Sequence, residues 1–247
     1  SCDRLRRPDQ TRFERRTRIP DMDRRTYLGT LGAAALGGTA GCLGIGGNPN
    51  TTLGEPDRPD GVTSEALAYP AWGERLPDVT LPDPLTGERV ALREVDRPIF
   101  VSFFYANCMS ICPRLVSALR EVQIHSLEND YADEVGFHPI TFDPQRDTAE
   151  SLREYAGRMN VDLSAGNWQF LRPDGRERAR TVLEEEFGFV FKRDEPSDGG
   201  KYMFTHIGLV LLVNADGYVE RAYRDREGTE RRYIEDLRTV RTGGGLL

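Results

Sequence analysis

The stretch from 99 to 113, IFVSFFYANCMSICP, constrains the fold of this chain more than any other. Ile99, Phe100, Val101, Phe103, Phe104 and Tyr105 make an apolar, β-rich run of the kind that lies buried at the centre of a sheet. The run breaks at Ala106-Asn107 into Cys-x-x-x-Cys-Pro, which predicts a turn leading into a helix. Cys108 and Cys112 are thereby placed at the carboxyl end of a strand, beside a helix N-terminus. A helix starting near Met109 stacks the two sulfurs one turn apart; one starting at Pro113, a favoured first helical residue, leaves Cys108 in the loop before it. Either start keeps the thiols neighbours. Partial positive charge at a helix N-terminus favours thiolate, so the pair is expected to be more acidic than free cysteine and able to hold a soft metal or exchange disulfides.

The rest of the chain supplies one core around that strand, since 247 residues at 38% hydrophobic content suffice for a single good-sized domain. Residues 79–81 and 90–92, joined across Thr86-Gly87, predict a small hairpin. A helix is expected over 113–130, with Leu115, Leu119 and Val122 on one stripe, and a strand over 135–142. Asp147 followed by Glu150 has capping-box spacing for a helix ending near Met159. Beyond it, 168–171 reads as a short strand, 176–187 as a helix, 189–191 as a strand and 193–201 as a polar loop. Strands over 207–213 and 218–223 turn through Asn214-Ala215-Asp216-Gly217, and a helix over 229–240 closes the domain. This is the order of a thioredoxin-like α/β domain: a mixed central sheet flanked by helices, here over 69–240. In that order His206 stands just before the 207–213 strand, where thioredoxins carry the proline that packs against their cysteines. Its imidazole is therefore expected to face the thiols.

The charge is 33 basic residues against 40 acidic, net -7, and the arginine-rich start (4–25) lies outside the expected domain. That balance argues against nucleic acid as a partner. Lysine stands only at 192 and 201. An acidic, lysine-poor surface suits strong salt, where the Debye length falls to about 3 Å at 1 M; a GC-rich genome that swaps Lys for Arg gives the same composition.

Residues 1–47 carry no domain pattern. Met22 is the expected translation start, because an export signal follows it. Asp23-Arg24-Arg25-Thr26-Tyr27-Leu28 resembles a twin-arginine motif, 31–40 is a Gly/Ala/Leu stretch too short to span a bilayer, and Thr39-Ala40-Gly41-Cys42 places small residues before a cysteine as a lipobox does. Cys42 is the expected lipidation site, which would hold the chain at the outer face of the cytoplasmic membrane by a lipid anchor. Cys2, upstream of Met22, is assigned no role. Residues 48–68 are expected to be a flexible linker and 241–247 a disordered tail.

Three motifs in order, FFYANCMSICP, TFDPQRDT and the histidine before IGLVLLVNADG, resemble the Sco family, also called SenC, over roughly residues 69–240. The resemblance implies a membrane-anchored thioredoxin-like protein that binds copper through two cysteines and a histidine and helps build the dinuclear copper site of cytochrome oxidase. The copper-site subunit of that oxidase is then the implied partner. Some members act instead, or also, as thiol-disulfide reductases. Carried onto this chain, the copper ligands fall on Cys108, Cys112 and His206, and the acidic residue near the site falls on Asp143. Met109 stands where members usually have Pro, and Thr205 where Asp usually precedes the histidine.

Each of these residues has a plainer reading. The cysteine pair could rest as a disulfide, because an i, i+4 pair has a Cα separation of about 6 Å. Asp143-Pro144 could be an ordinary turn, or Asp143 could orient a ligand by hydrogen bonds. His125 and His138 have no motif around them and are read as structural. Two thiolates and one imidazole suit Cu(I) and tolerate Cu(II), whereas structural zinc takes four ligands. The expected function is a copper metallochaperone. The alternatives are a thiol-disulfide oxidoreductase that keeps a partner's cysteines reduced, and a copper or redox sensor.

Overall fold

The computed structural model describes residues 48–58, 61–195, 201–224 and 229–244. In chain order its elements are β1 (Thr80–Pro82), β2 (Arg89–Ala91), β3 (Ile99–Phe104), α1 (Ile111–Glu128), β4 (Gly136–Thr141), α2 (Ala149–Met159) and α3 (Gly175–Arg180), which widens into a π turn (Thr181–Glu186). They are followed by β5 (Phe191–Asp194), β6 (Met203–His206), β7 (Leu209–Val213), β8 (Val219–Arg224) and α4 (Glu230–Arg241).

β3 is central because its sequence allows nothing else: all six residues are apolar or small, and all six are buried. It pairs in parallel with β4 and antiparallel with β7, and β8 completes a mixed sheet of order β4-β3-β7-β8. Side chains alternate across a strand, so the sheet needs cover on both faces. Phe100 and Phe104 meet Tyr233 of α4 and Tyr155 of α2, while Phe103 meets Phe187 and Phe189 beyond the π turn. The expected strand over 168–171 forms as two parallel bridges from Trp168 and Leu171 to Phe137 and Ile140 of β4.

Several boundaries differ from the sequence reading for local reasons. α1 starts at neither Met109 nor Pro113 but at Ile111, which leaves Pro113 third in the helix, where its missing N–H forfeits no intrahelical bond. The cap of α2 is Thr148, whose side chain accepts from the Ser151 amide; Asp147, expected to cap it, is turned into the core. The strand expected over 189–191 begins at Phe191, because the Phe189 amide is donated to Leu183 at 2.6 Å. Gly188 has φ +60°, and a Cβ there would stand 1.5 Å from the Ala68 carbonyl oxygen, so glycine alone lets the chain pass and seats Phe189 in the core.

The linker expectation is corrected at its start. The fully buried Glu220 carboxylate accepts from the amides of Thr52 (2.8 Å) and Leu53 (2.8 Å), and the Trp72 indole donates to the Leu53 carbonyl at 2.7 Å. A buried carboxylate needs donors, and residues 48–54 supply them, so they belong to the domain. At the other end Arg241, expected in the tail, closes α4 and bonds Glu134. Among the described residues no helix is long and apolar enough to cross a membrane. The twin-arginine motif, Met22 and Cys42 lie outside the described residues.

Candidate metal centre

Where β3 ends, the Cys108 amide closes a tight turn onto the Tyr105 carbonyl (3.1 Å), and α1 begins three residues later. Cys112 therefore sits in the first turn of α1, fully buried, with Cys108 in the loop beside it at 5% exposure. Ser110 occupies the cap position of α1, yet its hydroxyl makes no cap bond and stands 3.5 Å from the Cys108 sulfur. The residue type that ordinarily stabilises a helix start here faces the thiolate instead.

His206 arrives from a separate two-stranded ribbon, β5–β6, as the last residue of β6 and the register partner of Phe191. It was expected directly before the 207–213 strand; β7 starts at Leu209, leaving His206 on the ribbon. Its Nδ1 lies 2.8 Å from the Ile207 carbonyl, which fixes that nitrogen as the donor and leaves Nε2 free to ligate. Nε2 stands 3.4 Å from the Cys112 sulfur and 3.9 Å from that of Cys108. The three donor atoms lie within 4.8 Å of one another. Three ligands placed about 2.0 to 2.3 Å from a first-row metal in a trigonal plane stand about 3.7 to 4.0 Å apart, so the cluster needs little adjustment to hold such an ion. Among the described residues this is the one group of His, Cys, Asp and Glu side chains gathered at metal-binding distance.

The two thiols are driven apart in acidity. A hydrogen bond from Cys112, with a further one from Ser110, holds Cys108 down to about 3, whereas burial pushes the Cys112 thiol up. Cys108 is thus the more acidic of the two and Cys112 the less acidic. Both cysteines are free thiols. Around the imidazole stand Phe142, Tyr105 and Phe189, with ring centroids 4.9, 6.0 and 6.1 Å away. These rings exclude water on that side and favour a soft, weakly hydrated ion.

Asp143 does not touch a ligand. It is fully buried, bonds the Arg146 guanidinium and accepts from the Tyr202 hydroxyl at 2.8 Å. Arg146 in turn donates to the Tyr202 carbonyl (2.8 Å) and lies 3.6 Å from the Tyr202 ring, with Arg193 at the same distance. Asp143 thus ties down the ribbon that carries His206 rather than His206 itself. Met109 is 86% exposed beside the cysteines. Thr205 donates across the ribbon to Asp194 at 2.6 Å, so a carboxylate lies next to the position where the resembled family has its own. His125 bonds Tyr131 and His138 is buried in β4, both away from the cluster. The sequence reading missed Ser110, Arg146, Tyr202 and Asp147. The competing cap at Thr148 was the available signal that Asp147 was free for another task.

Comparison with known proteins bears on the fold and the family. The SCO1/SenC family model matches residues 86–242. An SCO2-like protein of Rickettsia typhi is 25% identical over 132 residues, 53% of this chain and 61% of the relative, and one of Rickettsia felis is 26% identical over the same length. The chain thus spans about 60% of the length of these curated relatives. Among solved structures, copper-bound ScoI of Bradyrhizobium japonicum superposes with a TM-score of 0.55 at 23% identity, covering 67% of this chain and 98% of that one. Copper-bound ScoI of Arabidopsis thaliana gives 0.55 at 18%, covering 70% and 99%. BsSco, described as a member of the Sco family of cytochrome c oxidase assembly proteins with a disulfide switch, gives 0.54 at 20%, covering 70% and 96%. These likenesses show the thioredoxin-like fold, and with a family model that matches more than half of its length, the chain belongs to the SCO1/SenC family.

Proposed function

We propose that this protein carries copper to the copper site of cytochrome oxidase, holding the ion through Cys108, Cys112 and His206. The observation that carries the reading is the gathering of those three donor atoms within 4.8 Å, in a family with copper-bound solved members. Two sulfurs and one nitrogen match Cu(I), the imidazole extends the set to Cu(II), and the near-buried pocket shields the ion in transit. Copper is cargo here, so the site must both take it and give it up. The test is metal content and the thiolate-to-copper absorption of the wild type, Cys108→Ala, Cys112→Ala and His206→Ala. One copper per wild-type chain, with Cu(II) absorption abolished in all three variants, is expected. A His206→Ala protein that holds Cu(II) as the wild type does would sink the three-ligand reading.

Anchoring by a lipid on Cys42 at the outer face of the cytoplasmic membrane is part of the proposal, supported by the order of the arginine pair, the short apolar stretch and the lipobox-like residues. Cys42→Ser is expected to release the protein from membranes in its native host; retention would overturn the anchor.

A second reading is favoured by the split acidity of the thiols. Cys108, a thiolate, could attack a partner's disulfide, forming a mixed disulfide and expelling one partner thiolate. Cys112 would then pass its proton to the partner thiolate already expelled, attack the Cys108 sulfur and release the second partner thiolate, leaving a Cys108–Cys112 disulfide. His206→Ala separates the readings, because reductase activity should survive it and copper delivery should not.

A further inference from the structure

We propose that Asp147 is a positioning residue for the cysteine loop: by holding the Ala106 peptide it fixes how the chain leaves β3 and keeps Cys108 against Cys112 and His206, a role that rests on the site reading above. Both carboxylate oxygens of Asp147 lie at hydrogen-bond distance from the Ala106 amide, 3.2 and 3.1 Å. The Thr141 hydroxyl, at the end of β4, donates to the same carboxylate. On the other side of Ala106, the Arg158 guanidinium of α2 donates to its carbonyl at 3.3 Å. Both polar groups of that residue are thus held from outside the loop, two positions before Cys108.

The arrangement is costly unless it does something. Asp147 is fully buried and adjoins another buried acid, Asp143, and a buried carboxyl group is an expensive way to satisfy one amide. A helix cap would have been the ordinary use of an Asp at this point, and Thr148 performs that task. What Asp147 reaches instead is the amide of Ala106, in the bend between β3 and Cys108. Because Asp143 of the same short loop ties down the ribbon bearing His206, one segment, 143–148, holds both halves of the cluster from below.

The test needs no metal. The full chain, oxidised to its Cys108–Cys112 disulfide, is equilibrated with dithiothreitol, and the equilibrium constant is read for wild type, Asp147→Asn, Asp147→Ala, Thr141→Val and Thr148→Ala. Reduction consumes one dithiothreitol dithiol per protein disulfide and yields its cyclic disulfide, so two electrons and two protons move together. Loss of the Asp147 contact lets the loop drift and lowers the effective concentration of one thiol at the other, which favours the dithiol. Asp147→Ala is expected to shift the constant about tenfold or more toward the dithiol, about 30 mV. Asp147→Asn, which keeps an acceptor for the Ala106 amide, should stay within about threefold, and Thr148→Ala, which weakens only the helix cap, should not move it. A folded Asp147→Ala with the wild-type constant overturns the proposal, as does an Asn variant as shifted as Ala. If Asp147→Ala fails to fold, Thr141→Val decides: it frees the carboxylate on one side, a shift of about threefold in the same direction is expected, and no shift overturns. A wild type that binds no copper would sink the metal reading while leaving these outcomes to be judged on the thiol pair.

Discussion

The two halves of the Cys108–Cys112–His206 cluster are held by different means. The cysteines hang from β3, a strand buried at every residue, paired on both edges and covered by aromatic rings on both faces. The histidine hangs from β5–β6, two strands of four residues that pair only with each other and are half-exposed. A two-stranded ribbon is marginal in water on its own. Its position here comes from a few contacts: Tyr105 accepting from the Phe204 amide (3.4 Å), the rings of Phe142 and Phe189, and the Asp143–Arg146–Tyr202 tie. The proposed transfer of copper would need a grip that can be loosened, and this division would put the loosening on the nitrogen side.

The comparison breaks first on the ligands themselves. Cys112→Ala is expected to lower Cu(I) affinity by more than about 100-fold, beyond the 10- to 100-fold typical of outer partners, whereas His206→Ala should spare Cu(I) and abolish the Cu(II) spectrum. Competition with a chromophoric Cu(I) chelator measures the first and absorption the second. Equal loss of Cu(I) in both variants would mean that the two sides grip alike.

Packing sharpens the contrast. Phe103→Ala, in the strand that bears the cysteines, is expected to cost about 3 to 5 kcal/mol in denaturant unfolding. Phe204→Ala, in the half-exposed β6, should cost less than half of that and act mainly on the Cu(II) spectrum through His206.

The buried half also carries a pH dependence of its own. His138 of β4 is 1% exposed with neither ring nitrogen bonded, and burial, with the Arg97 charge nearby, holds it down to about 3. Its folded value lies below the unfolded 6.5, so between the two the unfolded chain takes up a proton that the folded chain refuses. Stability is whole above pH 6.5 and falls on acidification by up to about 1.4 kcal/mol per unit. Between pH 7 and pH 5 the change in unfolding free energy should be less unfavourable in His138→Leu than in the wild type, by about 2 kcal/mol. Asp147 works in the opposite sense, since burial raises it to about 7; its contribution is present at low pH and is lost as pH rises through that value.

The smallest effect falls on the ribbon. Tyr202→Phe deletes the hydroxyl that Asp143 accepts from and keeps the ring between Arg146 and Arg193, so a loss of about 1 kcal/mol is expected. It should appear as weaker Cu(II) binding with Cu(I) affinity unchanged, read by the same two assays.

What the sequence determined by itself is what short-range physics writes into it. The apolar run of 99–104 could only be an inner strand, the Cys-x-x-x-Cys-Pro turn could only follow it, and the order of later periodicities left one family of α/β folds. The donor set was legible because residue type and motif order carry it. What the tertiary structure decided are matters of direction. Asp147 had the spacing of a cap and became the anchor of Ala106, because two side chains at neighbouring positions, Asp147 and Thr148, competed for one helix end and burial chose between them. Asp143, open in sequence to either a plain turn or a hydrogen bond to a ligand, grips Tyr202, 59 positions away, a pairing no local pattern encodes. Residues 48–54 had the composition of a tether, yet a single buried acid on β8, Glu220, draws their amides onto the domain. Each of these outcomes depends on a buried polar group finding its partner at long range, and that choice is made only when the chain has closed around it.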